Sequence, residues 1–252
     1  MTAESVDTFR ARAAAWLTQN RQHAPRDYGA ICPPSLIEEA KKWQRLIFDS
    51  GFAGIHWPTE HGGQGLSPAH HGAWVEECAK LGVPPVLNMV GLVLAGGAVM
   101  TFGTDELKKQ HLRSTLNADE VWCQLFSEPG SGSDSAAMQT MAVKSGNGWV
   151  LNGTKRYITN SPFANVALIM ARTSKEALPK NAHVSAFLVP MDTPGITVGK
   201  SDKKMGQAGS HIADIIMEDV KLPADALLGG EEGKGFVTAM QSLDNGRLSV
   251  GA

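Results

Sequence analysis

Cys123-Gln-Leu-Phe-Ser-Glu-Pro-Gly-Ser-Gly-Ser-Asp134 is the stretch whose reading decides what the chain builds. An apolar run of strand length feeds straight into a loop with two glycines, three serines and a proline. Such a loop can aim successive backbone N–H groups and short hydroxyls at an anion. A polar turn after a strand has the same composition, so the loop alone leaves both readings open. On either side of it the hydrophobic period changes.

Before about residue 120 the chain reads as helices. Ser35-Leu-Ile-Glu38 has the form of a capping box, with Leu36, Ile37, Trp43, Leu46 and Ile47 following at helical spacing and Gly51 suited to the stop. A second helix is expected from Ser67 and Pro68 to Gly82, and a third from Thr104, with Asp105 and Glu106 against the positive end of its dipole. From Val121 the period becomes that of strands: Val121–Phe126, Trp149–Leu151, Val166–Met170, Val184–Val189 and Ile212–Met217. Asn147-Gly148 between two such runs predicts a hairpin. After Glu232, Phe236, Met240, Leu243 and Arg247 return to a helical stripe.

Composition narrows the function. The 23 basic and 25 acidic residues nearly cancel, which argues against nucleic acid or an anionic membrane as partner. The apolar segment Val83–Phe102 is interrupted by Pro84, Pro85 and Asn88, so a buried helix is expected there rather than a membrane span of about 20 apolar residues. Met1–Arg10 resembles neither a secretory signal nor a transit peptide, and Cys32, Cys78 and Cys123 fit no paired pattern. The expected compartment is the cytoplasm, with reduced thiols. The histidines form no metal-ligand set, and Ser133-Asp134 lacks a hydrolase elbow. His61-Gly-Gly-Gln-Gly65 and Gly229-Gly-Glu-Glu-Gly-Lys-Gly235 have neither dinucleotide nor phosphate-loop spacing and read as turns.

Four ordered elements then become specific together. Leu125-Phe-Ser-Glu-Pro-Gly-Ser-Gly-Ser-Asp134 is followed by Leu151-Asn-Gly-Thr-Lys-Arg-Tyr-Ile-Thr-Asn160. Lys204-Met-Gly-Gln207 through Glu218-Asp-Val-Lys-Leu-Pro223 comes next, and Gly233-Lys-Gly-Phe236 through Leu243-Asp-Asn-Gly-Arg247 last. This series resembles the acyl-CoA dehydrogenase family. The resemblance implies an α+β multidomain chain: an N-terminal helical domain (1–119), a middle β-barrel-like domain (120–232), and the first helix (233–252) of a C-terminal four-helix domain. It implies FAD as cofactor, an acyl-CoA thioester as substrate, an electron-transfer flavoprotein as partner, and a homo-oligomer, tetramer or dimer.

By that match, the backbone from Leu125 through Phe126 to Ser127 faces the flavin's pyrimidine edge, with the Ser127 hydroxyl donating near O4 and N5, and Gln124 also belongs to the cofactor site. Ser133 meets a FAD phosphate or the bound acyl-CoA, and Gly132 beside it belongs to the cofactor site. Tyr157 stands where the family usually has Trp and covers one flavin face, although a strand aromatic would otherwise read as core. Ile158 and Thr159 complete this group, and strand alternation puts Tyr157 and Thr159 on one face. Leu243, Asp244 and Arg247 become substrate contacts; Asp244 and Arg247, three apart on a helix, would otherwise read as a solvated ion pair.

Dehydrogenation also needs a carboxylate for the substrate α-proton. The resemblance puts that glutamate in a domain beyond Ala252, or in a minority of members at the position of Gly246, which has no side chain. No catalytic base is therefore expected within this chain, which alone should be inactive. A flavin oxidase or monooxygenase on the same fold, and a non-catalytic subunit of a heteromeric complex, are the alternatives.

Overall fold

A computed structural model of the chain describes residues 4–26, 28, 32–207 and 210–251, with the side chains of its last helix described as far as Asp244. The first helix, α1 (Val6–Asn20), is capped by Ser5, whose hydroxyl accepts from the Thr8 amide, and it buries Phe9, Ala13 and Leu17 along one stripe. Helix α2 (Ile37–Asp49) buries Ala40, Trp43, Gln44 and Ile47 at the same kind of spacing. The capping box expected at Ser35 does not form. Pro33 and Pro34 start a 3-10 turn over Pro34–Leu36 that takes Ser35 inside it, and α2 has Leu36 as a cap without a side-chain bond. Helix α3 (Pro68–Lys80) does carry a box, with His70 Nδ1 accepting from the Ser67 amide at 3.3 Å. In the expected buried helix of 83–102, a π-helical turn over Val90–Ala95 runs into α4 (Gly96–Phe102). Helix α5 (Asp105–Leu116) starts at Thr104, whose hydroxyl accepts from the Leu107 amide.

Among the described residues seven strands follow: β1 (Trp122–Leu125), β2 (Met141–Ser145), β3 (Gly148–Thr159), β4 (Val166–Arg172), β5 (Val184–Pro190), β6 (Ile196–Val198) and β7 (Ile212–Leu222). They form one sheet in the order β1-β4-β2-β3-β7-β6, with β5 pairing the other side of β4. Asn147 occupies the β2–β3 turn, where the hairpin was expected. The sheet is apolar on both faces. Trp122, Val166, Leu168, Met170, Val184, Ala186 and Leu188 join the core under the helices. Their alternates Cys123, Leu125, Ala167, Ile169, Phe187 and Val189 join Leu151, Ile215 and Met217 in a second core. Because β1, β4, β5, β3 and β7 all feed that second core from one face, the sheet must curl around it. The last helix, α6 (Gly235–Gly251), lies against α4 and β5. A Cβ on Gly235 would sit 2.4 Å from the Ser185 carbonyl carbon, so only glycine admits this approach.

A buried amide network ties the helices to the sheet. Gln44 and Asn88, both fully buried, face each other with the Asn88 amide donating to Gln44 Oε1 at 3.0 Å. Asn88 Nδ2 donates to Thr115 O and Glu120 O at 2.9 and 2.7 Å, and its Oδ1 accepts from the Trp122 amide at 3.0 Å. One side chain thus closes the end of α5 and fixes the first residue of β1. Asn88→Ala leaves the buried Trp122 amide and the part-buried Glu120 carbonyl without these partners, while Thr115 O keeps its bond from Gln44 Nε2, and should destabilise the chain by about 2–4 kcal/mol. Urea unfolding measures this, and an unchanged midpoint would show that the network carries no stability.

Candidate functional site

The loop after β1 is held from beneath by one side chain. Lys155 on β3 is wholly buried, and its ammonium donates to Phe126 O at 3.1 Å and to Glu128 Oε1 at 2.9 Å. Glu128 also accepts from the Gln139 amide at 2.5 Å and the Thr140 amide at 3.0 Å. Its backbone exchanges two hydrogen bonds with Ser131, so Pro129 and Gly130 form an exposed tip, while Ser131 Oγ donates to Asp134 O at 2.7 Å. The buried ion pair therefore has every oxygen engaged, which is the condition for it to be tolerated away from water. Burial, only partly offset by Glu128, pushes the Lys155 ammonium down to about 8. Burial also pushes the Glu128 carboxyl up, but Lys155 and the two loop amides outweigh it and hold it below the ordinary carboxylate range.

Next along β3, the Arg156 amide donates to Ser127 O at 2.8 Å, which brings the loop beside Tyr157. Lys155 pairs with Ile215 and Ile158 with Ala213, so Arg156 and Tyr157 both oppose Asp214 in a bulge. Tyr157 takes φ +59° there, and its ring is 61% exposed. Its amide donates to Asp214 Oδ1 at 3.3 Å, and the Arg156 guanidinium lies 4.9 Å from its ring centroid. The extra residue shifts the phase of the strand between Lys155 and Ile158 and leaves Tyr157 and Thr159 two places apart on either side of the buried Ile158. Tyr157 is exposed because of the bulge, with Thr159 two places on at the end of β3.

The structure sorts the remaining sequence expectations. Leu125 and Ile158 are buried in the inner core, and Phe126 packs under the helices, so their side chains are closed to a ligand. Ser127 is half-buried, and Gly132 and Ser133 are exposed on the loop. A Cβ added at Gly130 or Gly132 meets nothing within 4 Å, so the loop's outer side is open. Gln124 Nε2 and Arg156 Nε are buried without a hydrogen-bond partner. Buried donors left over in this way call for an acceptor. Half-buried hydroxyls, unpartnered donors, an exposed ring and an open loop suit a planar ligand rich in hydrogen-bond acceptors.

The α6 residues form a separate group. Asp244 and Ser242 line a hollow of about 270 Å³ between α4 and α6, with Thr101 and Phe102 opposite, and Ser242 Oγ is buried without a partner. Leu243 packs against the helical core. The side chain of Arg247 lies outside the described residues. A wider hollow of about 540 Å³ lies at the β2–β3 hairpin, between Asn147, Trp149, Lys221 and Asp225, and contains none of the residues expected to carry chemistry. Sequence reading gave no role to Glu128, Lys155 or Asp214. Glu128 and Lys155 stand 27 positions apart in two different motifs, and no signal in the sequence pairs them.

Comparison with known proteins adds to this geometry. The family model described as acyl-CoA dehydrogenase, N-terminal domain, matches residues 5–119, and that described as acyl-CoA dehydrogenase, middle domain, matches residues 123–220. The mitochondrial short-chain specific acyl-CoA dehydrogenase of Homo sapiens is 41% identical over 204 residues, 79% of this chain and 48% of that protein. The CarC subunit of the caffeyl-CoA reductase–Etf complex of Acetobacterium woodii is 37% identical over 219 residues, 85% of this chain and 57% of that protein. The crystal structure of a glutaryl-CoA dehydrogenase from Mycobacterium smegmatis in complex with FADH2 aligns with a TM-score of 0.71 at 26% identity, covering 94% of this chain and 59% of that one. The chain spans about half the length of the curated relatives it matches.

If Glu128 anchors the loop, the acid limb of stability depends on it. Its folded pKa lies below the ordinary 4.5, so its contribution is full above about 4.5 and is lost as pH falls through the folded value. Glu128→Gln should cost about 3–5 kcal/mol near pH 7, since it leaves Lys155 uncompensated. The same variant should flatten the decline of stability below pH 4.5. Urea midpoints from pH 3 to 7 for both proteins would refute the anchor if the two curves ran parallel.

Proposed function

Because the chain belongs to the acyl-CoA dehydrogenase family, we propose that it forms the flavin-facing part of a site for FAD-dependent α,β-dehydrogenation of an acyl-CoA thioester, with electrons leaving to an electron-transfer flavoprotein. The observation that carries this reading is the clamped loop. Ser127 is held between β3 and an open surface, beside an exposed Tyr157 ring. The relatives support it from outside: one is a short-chain specific acyl-CoA dehydrogenase, another a subunit of an Etf complex, and a third is a glutaryl-CoA dehydrogenase in complex with FADH2.

FAD supplies the hydride acceptor when bound. The backbone of Leu125 to Ser127 and the Ser127 hydroxyl hold its pyrimidine edge and place donors where negative charge develops. Tyr157 covers one ring face, Thr159 adds a hydroxyl at the strand end, and Gly132 and Ser133 receive a phosphate. Asp244, on α6, contacts the thioester's carrier. The α-proton needs a carboxylate. At the α6 position corresponding to one family placement stands Gly246, which has no side chain to take the proton. Gly246 also carries the second reading, a subunit that binds flavin while another chain completes the chemistry.

Two measurements test the assignment. Ser133→Ala and Tyr157→Ala should each weaken FAD binding by about 1–3 kcal/mol, by removing an anion donor and an aromatic contact respectively. Titration of flavin fluorescence reads this directly, and unchanged affinity in both variants would remove the site. The 252-residue chain, loaded with FAD and mixed anaerobically with a panel of acyl-CoAs, should bleach slowly. General-base catalysis is usually worth about 10²–10⁴-fold, and that factor is missing. Rapid bleaching by this chain alone would place the base within it.

A further inference from the structure

Lys155 does more than close a buried ion pair. It donates to Phe126 O at 3.1 Å, and the N–H on the far side of that same peptide belongs to Ser127. No peptide bond among the described residues is cis, so the carbonyl and the N–H point in opposite directions. With the carbonyl turned down onto Lys155, the Ser127 N–H is turned up, away from the sheet interior. The next peptide is fixed too, because Ser127 O accepts from the Arg156 amide at 2.8 Å. Consecutive residues of β3 therefore set the orientation of both peptides flanking Ser127.

An ammonium on a carbonyl also polarises the amide beyond it. Hydrogen-bonded chains strengthen one another, and a low-dielectric surround strengthens them further. Lys155 has no exposure, and Glu128, which could cancel its charge, shares its own with the Gln139 and Thr140 amides. The polarised donor is therefore the Ser127 N–H.

We propose that Lys155 is a positioning residue that aims and polarises the Ser127 amide, so that the buried Lys155–Glu128 pair favours the reduced, more negative form of a flavin bound in front of that amide. This rests on the function proposed above. A pair serving only as a structural clamp would change how tightly flavin binds. A polarising pair changes how the oxidised and reduced forms are balanced.

The experiment uses the 252-residue chain in excess over FAD at pH 7, as wild type, Lys155→Met, and the double variant Glu128→Gln/Lys155→Met. The double variant leaves no uncompensated charge, so it keeps the test open where the single one fails to fold. Flavin fluorescence gives affinity, and reductive titration beside a reference dye gives the two-electron potential. The double variant should retain FAD while its preference for reduced over oxidised flavin falls at least about tenfold, a downward shift of about 30 mV. Bound FAD with an unchanged potential overturns this inference and leaves the proposed function standing. A double variant that no longer holds FAD reduces the pair to a clamp and also overturns it. A wild-type chain that binds no FAD sinks both.

Discussion

A lysine ammonium with no access to water must find its counter-charge and its acceptors where it sits, and that requirement organises the middle of this molecule. Lys155 meets it with Glu128 and Phe126 O, which pulls two points of one loop onto β3. Glu128 in turn must satisfy its second oxygen and does so with the amides that open β2. The strand, the loop and the start of the hairpin are thus bound into one unit by a single pair. Replacing both ends with apolar groups of like volume is often neutral for stability. Folding energy alone therefore does not call for a charged pair at this place.

The second constraint is the junction between helices and sheet. A sheet apolar on both faces can be covered on one side by helices only if the chain enters β1 at a set height. Asn88 sets it, by holding the C-terminal end of α5 and the Trp122 amide with one carboxamide. Trp122 then spends its own indole N–H on Thr115 Oγ1 at 2.8 Å, which closes the same junction from the sheet side. The outer and inner cores are in register because this step is fixed.

Much of this was legible before any coordinates. Period-two runs located five of the seven strands, Asn147-Gly148 located the hairpin, and the Ser67 and Thr104 helix starts fell where capping chemistry puts them. Helix α1 was not singled out, and its few fully buried residues explain why: Phe9, Ala13 and Leu17 are separated by polar and alanine positions that dilute the stripe. Ser35 was misread because a capping box is a local signal and two preceding prolines are a stronger one. β3 ran further than expected because its second half is polar, including a buried lysine that no hydropathy pattern assigns to a strand core. In the candidate site, loop and strand were each visible as motifs, while the bond between them was not. A contact across 27 residues between unlike charges leaves no periodic trace.

The bulge at Arg156 and Tyr157 shows how that polar half-strand is made to serve two demands. Trp149, Leu151 and Lys155 are buried on alternate positions of β3, so an unbroken strand would turn Tyr157 inward and Ile158 outward. One extra residue reverses the phase. Ile158 becomes 2% exposed within the inner core, and Tyr157 stands 61% exposed on the other side. The reversal holds a bulky residue at φ +59°, a conformation that costs on the order of 1–3 kcal/mol and survives only where the surroundings over-determine it. Here they do. Ladder pairs hold Lys155 and Ile158 on either side, Asp214 accepts the Tyr157 amide, and Arg156 covers the ring. A core needing only an apolar residue could have used a regular strand with Ile158 one place earlier. The strain is intelligible if the ring itself is wanted outside, next to the loop that Lys155 holds in place.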